Sequence, residues 1–213
     1  MLVLFGNARG TALQAGIVPR SLLTAVESPL PEFSRMIAMV IPAGFEMRES
    51  EDVAPKTFAK IPEGQTTVPV GDLVAAFNRV NRSYRAEMLD GVFVVRPING
   101  RYEFLDSASP ITEPTKQIGV IRSLRIVFSP LDAALLKPSL GSVMGKRAVE
   151  AFSTPILLDG SKSRRVIDTL NQIAAQAPGA WQVITRRGAD QSEKIARLAF
   201  IYSDGARSIQ QMR

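Results

Sequence analysis

A helix followed at once by a tight hairpin is the feature that most constrains the fold of this chain. Leu73, Phe77 and Val80 stand at i, i+4 and i+7, a spacing that predicts an amphipathic helix with one buried face. Asp90 and Gly91 then form a pair that accepts positive φ, which predicts a two-residue turn between two antiparallel strands. No reactive side chain occupies a fixed point in this pattern, so we expect a unit built for packing and contact.

The same helical spacing recurs 93 residues later, in Val166, Leu170 and Ile173. Trp181 then opens a predicted strand, which we expect to pair with residues 198–202 across a long charged loop. We interpret Trp181 as a core anchor and not as a ligand platform. Two divergent copies of one unit, or chance similarity between two amphipathic helices, would both produce this recurrence.

The predicted fold class is α+β, with two small modules of the βαββ type, each a short sheet covered by helices. Within the first module we expect a helix over residues 33–41, a strand over 44–48 and an extension of the hairpin into 102–105. Proline-containing stretches suggest the boundaries. We predict a leader remnant or flexible N-terminus over 1–31, the first module over 32–106, a linker with short helical elements over 107–147, and a second, basic module over 148–213.

The chain of 213 residues contains no cysteine and no histidine. Disulfides, thiolate ligands, Ser-His-Asp or Cys-His catalysis and ordinary zinc sites are therefore excluded. Glu46 belongs to a group of acidic residues whose spacing matches no calcium-binding loop, and we interpret that group as a solvated acidic segment. We predict no enzyme activity, no catalytic residue, no cofactor and no metal site.

Positive charge is concentrated in the second half of the chain. Residues 109–213 carry 15 Lys and Arg against 8 Asp and Glu, whereas residues 1–108 carry 11 against 12. Such an imbalance favours an anionic partner, either an envelope protein or another anionic macromolecule, although plain solubility explains it as well. We place Lys162, Arg164 and Arg165 in the first turns of the second helix. The predicted partner-binding patch consists of Lys162, Arg164, Arg165, Arg186, Arg187 and Lys194.

No stretch approaches the length of about 18–20 apolar residues that spans a bilayer, so we predict no integral membrane segment. The start of the chain has two interpretations. Residues 1–15 resemble the tail of a secretory leader with a cleavage point after Ala15, and residues 2–5 would equally serve as a first strand.

Residues 32–97 resemble the short N-terminal domain shared by secretins and TonB-dependent receptors. That family joins a valine–leucine–phenylalanine helix to a Tyr-Arg strand and a glycine-turned hairpin rich in valine. The corresponding positions here are Val70, Leu73, Phe77, Tyr84, Arg85, Gly91 and residues 92–95. A weaker match to the latter half of the domain covers residues 154–202. The resemblance implies an α+β fold, a bacterial cell envelope location and the docking of a protein partner, with no catalytic residues.

Family members carry this module on an outer-membrane pore or receptor barrel, so the resemblance implies a stand-alone periplasmic version, with a cytoplasmic location as the alternative. We therefore expect a non-catalytic protein that docks an envelope partner through sheet edges and a basic face. A second hypothesis is nucleic-acid binding by the basic half, with bases stacked on Tyr84, Trp181 or Tyr202. A third is a carboxylate-dependent polysaccharide hydrolase, which needs two carboxylates in one cleft.

Overall fold

The computed structural model describes residues 16–49, 66–115, 117–129, 154–162, 164–177, 179–187 and 193–202. The strands are β1 (Ile17–Pro19), β2 (Ala43–Arg48), β3 (Thr67–Pro69), β4 (Tyr84–Leu89), β5 (Val92–Pro97), β6 (Ile118–Gly119), β7 (Pro155–Ile156), β8 (Gly179–Arg187) and β9 (Glu193–Tyr202). The helices are α1 (Ser21–Ala25), α2 (Leu30–Val40), α3 (Val70–Val80), α4 (Glu103–Asp106), α5 (Val120–Val127) and α6 (Val166–Gln176).

One five-stranded sheet, in the order β4-β5-β2-β8-β9, forms the centre of the structure. Both hairpins, β4–β5 and β8–β9, are antiparallel, and β2 pairs in parallel with β5 on one side and with β8 on the other. The α+β class is confirmed. The expected pair of separate short sheets is corrected, because β2 joins the two hairpins into one sheet.

The central position of β2 follows from its burial on both faces. Five of its six residues are buried, so a strand is needed on either side to complete its backbone hydrogen bonds. Gly44 in β2 lies directly under the indole ring of Trp181 in β8, and a Cβ added to that glycine would collide with the ring. The missing side chain is what allows the two halves of the chain to meet at this point.

One face of the sheet is covered by α1, α2 and α3. Its core contains a cluster of phenylalanine rings, in which Phe33 of α2 stacks on Phe77 of α3 with centroids 5.2 Å apart. From the sheet side, Phe93 of β5 contacts both of these rings, and Phe45 of β2 contacts Phe33 and Phe93. Burial of such side chains contributes roughly 1.5–3 kcal/mol each, so this cluster ties α2 and α3 to the central strands.

The opposite face is covered by α4, α5 and α6. Trp181 is fully buried there, which confirms its interpretation as a core anchor. Its Nε1 donates a hydrogen bond of 3.0 Å to Oδ1 of Asn171 on α6. Helices therefore cover both faces of one sheet, the first helices of the chain on one face and the last ones on the other.

The turn between β4 and β5 confirms the predicted hairpin. Asp90 and Gly91 have φ values of 51° and 78°, the left-handed conformations that a type I′ turn requires. Trp181 pairs with Phe200 and Val183 with Leu198, so the predicted β8–β9 pairing is confirmed as well. Both strands extend further into the expected loop, as far as Arg187 and Glu193.

The recurrence of helix and hairpin is present, but the two units enter the sheet differently. After α3 the first strand, β4, lies at the edge, and the second, β5, pairs with β2. After α6 the first strand, β8, pairs with β2, and the second, β9, lies at the edge. The buried and exposed residues of β4 suit an edge position, whereas β8 begins with five consecutive buried residues and suits an inner one.

Several boundaries predicted from the sequence are corrected by the packing. Residues 17–31 are part of the first core, in which Val18 and Leu22 are almost completely buried. Residues 102–105 start helix α4 and do not extend the hairpin. Residues 107–115 and 117–129 of the predicted linker contribute to the second core, and α5 confirms one of its expected short helical elements. Residues 1–15 and 130–147, which include the second expected helical turn, lie outside the described residues.

Candidate functional site

The six basic residues of the predicted patch fall into two groups. Lys162, Arg164 and Arg165 line a groove of about 600 Å³ along the outer side of α6. Arg186, Arg187 and Lys194 lie at the far end of the β8–β9 hairpin, and none of them lines this groove. The structure therefore does not place all six around one groove.

The first group precedes α6 and does not lie within its first turns, which corrects that part of the sequence analysis. The helix begins at Val166, and Arg165 occupies the N-cap position. Oδ2 of Asp168 accepts a hydrogen bond of 2.9 Å from the backbone N–H of Arg165, and its Oδ1 lies 2.8 Å from Nη2 of the same residue. Asp168 thus supplies the negative charge that the helix N-terminus favours.

Two of the three groove cations are paired with carboxylates. Arg165 pairs with Asp168, and Lys162 lies 3.7 Å from Asp159 with its side chain 76% exposed. Arg164 is exposed and has no ion-pair partner among the described residues. Of the three cations, Arg164 is the one most available for a ligand.

A buried ion-pair network lies between the sheet and α4. Nε of Arg96 donates to Oε2 of Glu46 at 2.7 Å, and both side chains are almost fully buried. The two Nη atoms of Arg96 form a bidentate pair with Asp106, at 2.7 and 2.8 Å. Oε1 of Glu46 also accepts the backbone N–H of Tyr102. This arrangement corrects the interpretation of Glu46 as part of a solvated acidic segment.

The network shifts the pKa values of its two carboxyl groups in opposite directions. Burial raises the pKa of Glu46 above its ordinary value, and the hydrogen bond and charge of Arg96 offset only part of that effect. Hydrogen bonds from Arg96 hold the pKa of Asp106 below its ordinary value, because that carboxylate is partly exposed and loses less hydration. Both carboxylates bind one guanidinium, so the network stabilises the junction of β2, β5 and α4.

The second group of basic residues is extended by a residue that the sequence analysis missed. Arg186 pairs in register with Lys194, and Arg197, three residues further along β9, lies opposite Ile184. All three of these basic residues are exposed. Side chains alternate along a regular strand, so residues three positions apart would lie on opposite faces. The register of the hairpin shifts between Ile184 and Thr185, and this irregularity places Lys194 and Arg197 on the same face. This group, with Arg187, forms a basic end of the hairpin.

The two edges of the sheet differ in their backbone partners. At β4, the side chain of Asn78 in α3 accepts the N–H of Ala86 at 2.7 Å and donates to its C=O at 2.9 Å. That amide takes the place that a neighbouring strand would occupy. At β9, a strand of ten residues, no further strand pairs with the outer edge within the described parts of the chain.

Two of the three aromatic residues suggested as stacking platforms are unsuitable for that role. Tyr84 is 3% exposed and Trp181 is fully buried. Neither ring presents a face to solvent, which base stacking requires.

Among the described residues, no group of acidic side chains is arranged to hold a metal ion, and no helix combines the length and apolar character needed to cross a bilayer. No family model matches the chain, and neither a curated protein nor a solved structure is significantly similar to it.

The sequence analysis missed three features of these surfaces, and two of them, the Glu46–Arg96 pair and the unused donor of Asn171, depend on side-chain contacts that no motif marks. Glu46 and Arg96 are separated by 50 positions, and Asn171 lies on a helix without any motif around it. The alternation of basic and apolar residues in β9 would have identified Arg197 as exposed. No local signal identifies the partner of Glu46.

Proposed function

We propose that this chain is a non-catalytic interaction module that docks a protein partner by adding an acidic, extended segment of that partner to the β9 edge. The observation that carries the proposal is the difference between the two sheet edges. Asn78 occupies the backbone groups of Ala86 on β4, whereas the ten-residue edge of β9 has no neighbouring strand among the described residues. Strand addition uses backbone groups and needs no reactive side chain.

Charge at the hairpin end supports an acidic partner. Arg186, Lys194 and Arg197 are exposed near this edge, so a strand carrying glutamate or aspartate would meet opposite charge. Pairing of β9 with a second copy of itself would bring Lys and Arg of two chains close together, which is unfavourable. The edge therefore favours a different chain over a second copy of this one.

The cell envelope is the compartment that we propose for this interaction, on the strength of the resemblance between residues 32–97 and the short N-terminal domain of secretins and TonB-dependent receptors. The helix, strand and hairpin of that resemblance occur here in the same order, as α2–β2 and β3–α3–β4–β5. Fractionation of the native host, with immunodetection of the protein, tests the location. Recovery in the cytoplasmic fraction alone would contradict it.

Strand addition is tested with synthetic eight-residue peptides of alternating glutamate and valine. Binding is measured by fluorescence polarisation, and hydrogen exchange reports which amides become protected. We expect protection confined to β9 with the acidic peptide, and none with a lysine–valine peptide or an acidic peptide interrupted by proline. Protection at β4 alone, or equal binding of all three peptides, would contradict the proposal.

One double charge reversal tests the basic residues of the hairpin, and a second double charge reversal elsewhere serves as its matched control. Arg186→Glu with Arg197→Glu should weaken acidic-peptide binding roughly tenfold, since each exposed charge contributes up to about 1 kcal/mol. Arg79→Glu with Arg82→Glu makes the same change in net charge at exposed positions in and just after α3, and should leave binding nearly unchanged. Single-stranded DNA in the same assay tests the second hypothesis. Tighter binding of DNA than of the acidic peptide would favour nucleic-acid binding.

A further inference from the structure

The groove along α6 contains a buried amide group with an unused donor. Asn171 lines the groove although only 1% of its surface is exposed. Its Oδ1 accepts the indole N–H of Trp181, which fixes which end of the amide is oxygen and which is nitrogen. Its Nδ2 has no hydrogen-bond partner among the described residues. Leaving such a donor unpaired inside a protein is unfavourable, so an acceptor at this position would stabilise it.

The charged residues of the groove leave it with an excess of positive charge, because Lys162, Arg164 and Arg165 carry three positive charges and Asp90 and Asp168 carry two negative ones. The carboxylate of Asp168 is already bound to the side chain and backbone of Arg165. The hydroxyl of Ser161 donates to Asp159 at 2.7 Å. Arg164 is exposed at the same groove and retains its guanidinium donors, with no ion pair among the described residues. A ligand that enters here would meet the available positive charge of Arg164, and a small shift of the surrounding side chains would bring it to the buried Nδ2 of Asn171.

We propose that this groove binds a small oxyanion, a carboxylate or a phosphate, with one oxygen accepting from Asn171 Nδ2 and the charge balanced by Arg164. A guanidinium and an amide N–H₂ are the donors that oxyanions bind in proteins. The site is separate from the β9 edge and does not depend on strand addition.

Trp181 provides a direct readout, because it is the single tryptophan of the chain and its ring is bonded to Asn171. Tryptophan emission is measured during titration with inorganic phosphate and with acetate, at constant ionic strength maintained by chloride. We expect a saturable change with at least one of the two oxyanions and none with chloride. The stronger of the two responses distinguishes a phosphate ligand from a carboxylate. Responses to both oxyanions that equal the response to chloride would overturn the proposal.

Two variants test the residues, and a third serves as the control. Arg164→Gln is exposed and should fold normally, with affinity reduced about tenfold by the loss of one charge-assisted contact. Asn171→Asp keeps an acceptor for Trp181 but removes the donor, so the saturable response should disappear. Arg79→Gln removes the same charge at an exposed position outside the groove and should bind as the unmodified protein does.

Binding that survives Arg164→Gln without loss, or that falls equally with Arg79→Gln, would overturn the proposal. Circular dichroism establishes whether Asn171→Asp is folded, and Arg164→Gln decides the question if it is not. Failure of peptide binding at β9 would leave the result at this groove unchanged, so the two proposals fail independently.

Discussion

Substitution of Gly44 by alanine tests whether the two halves of the chain share one sheet. An added Cβ would collide with three atoms of the indole ring of Trp181 in the neighbouring strand. That ring cannot move aside easily, because it is fully buried and is bonded to Asn171 at 3.0 Å. Overpacking a close-packed site costs about 1–3 kcal/mol. We expect the free energy of unfolding to fall by this amount.

The assay is chemical and thermal denaturation followed by circular dichroism. For a chain of this size, each kcal/mol lowers Tm by roughly 2–4 °C. Gly71→Ala is the matched control, since Gly71 lies in helix α3 and a Cβ there has nothing within 4 Å. It should be neutral or should stabilise by up to about 1 kcal/mol, because alanine favours the helix.

A double variant shows whether the cost comes from Trp181. Trp181→Leu makes room above Gly44, so Gly44→Ala should cost less in that background, with a coupling energy of about 1 kcal/mol or more. Additive effects, or a Gly44→Ala variant as stable as Gly71→Ala, would refute the reasoning that β2 and β8 are neighbours.

Three further predictions concern the buried ion pairs and the protected edge. Arg96→Met should destabilise the fold by about 3–5 kcal/mol by leaving Glu46 buried without its partner, and adding Glu46→Met should recover most of the loss in urea denaturation; no recovery would contradict this. The pKa of Asp106 is lowered from 3.8, so its stabilisation is present above that pH and is lost as pH falls through its folded value. Thermal melts between about pH 6 and 2.5 should show a flatter decline for Asp106→Asn. Glu46, whose raised pKa acts in the opposite direction, is present in both proteins, so the difference between the two profiles reports on Asp106, and identical profiles would refute the pairing. Asn78→Ala should lower the free energy of unfolding by about 1–3 kcal/mol and should increase self-association in sedimentation velocity, because it exposes the backbone of Ala86 on β4. A variant that stays monomeric with unchanged stability would show that the Asn78 amide does not protect this edge.

Local sequence determined most of the individual elements of this protein. The spacing of Leu73, Phe77 and Val80 gave α3, and the Asp90–Gly91 pair gave the β4–β5 turn. Helix periodicity and turn chemistry act over a few residues, so they can be read without knowing the rest of the fold. The predicted start of the second helix was too early, because the capping contact of Asp168 with Arg165 starts the helix at Val166 and depends on side-chain geometry.

Tertiary structure alone decided how these elements combine. Strand order depends on which faces must be buried and on which side chains leave room, and the pairing of Gly44 with Trp181 brings together positions far apart in the chain. The bond between Glu46 and Arg96 arises in the same way, since burial forces two distant charges to satisfy each other. Residue types and spacing established that the chain packs helices on strands, and only the assembled sheet determined which edge is covered and which donors of the α6 groove remain unused.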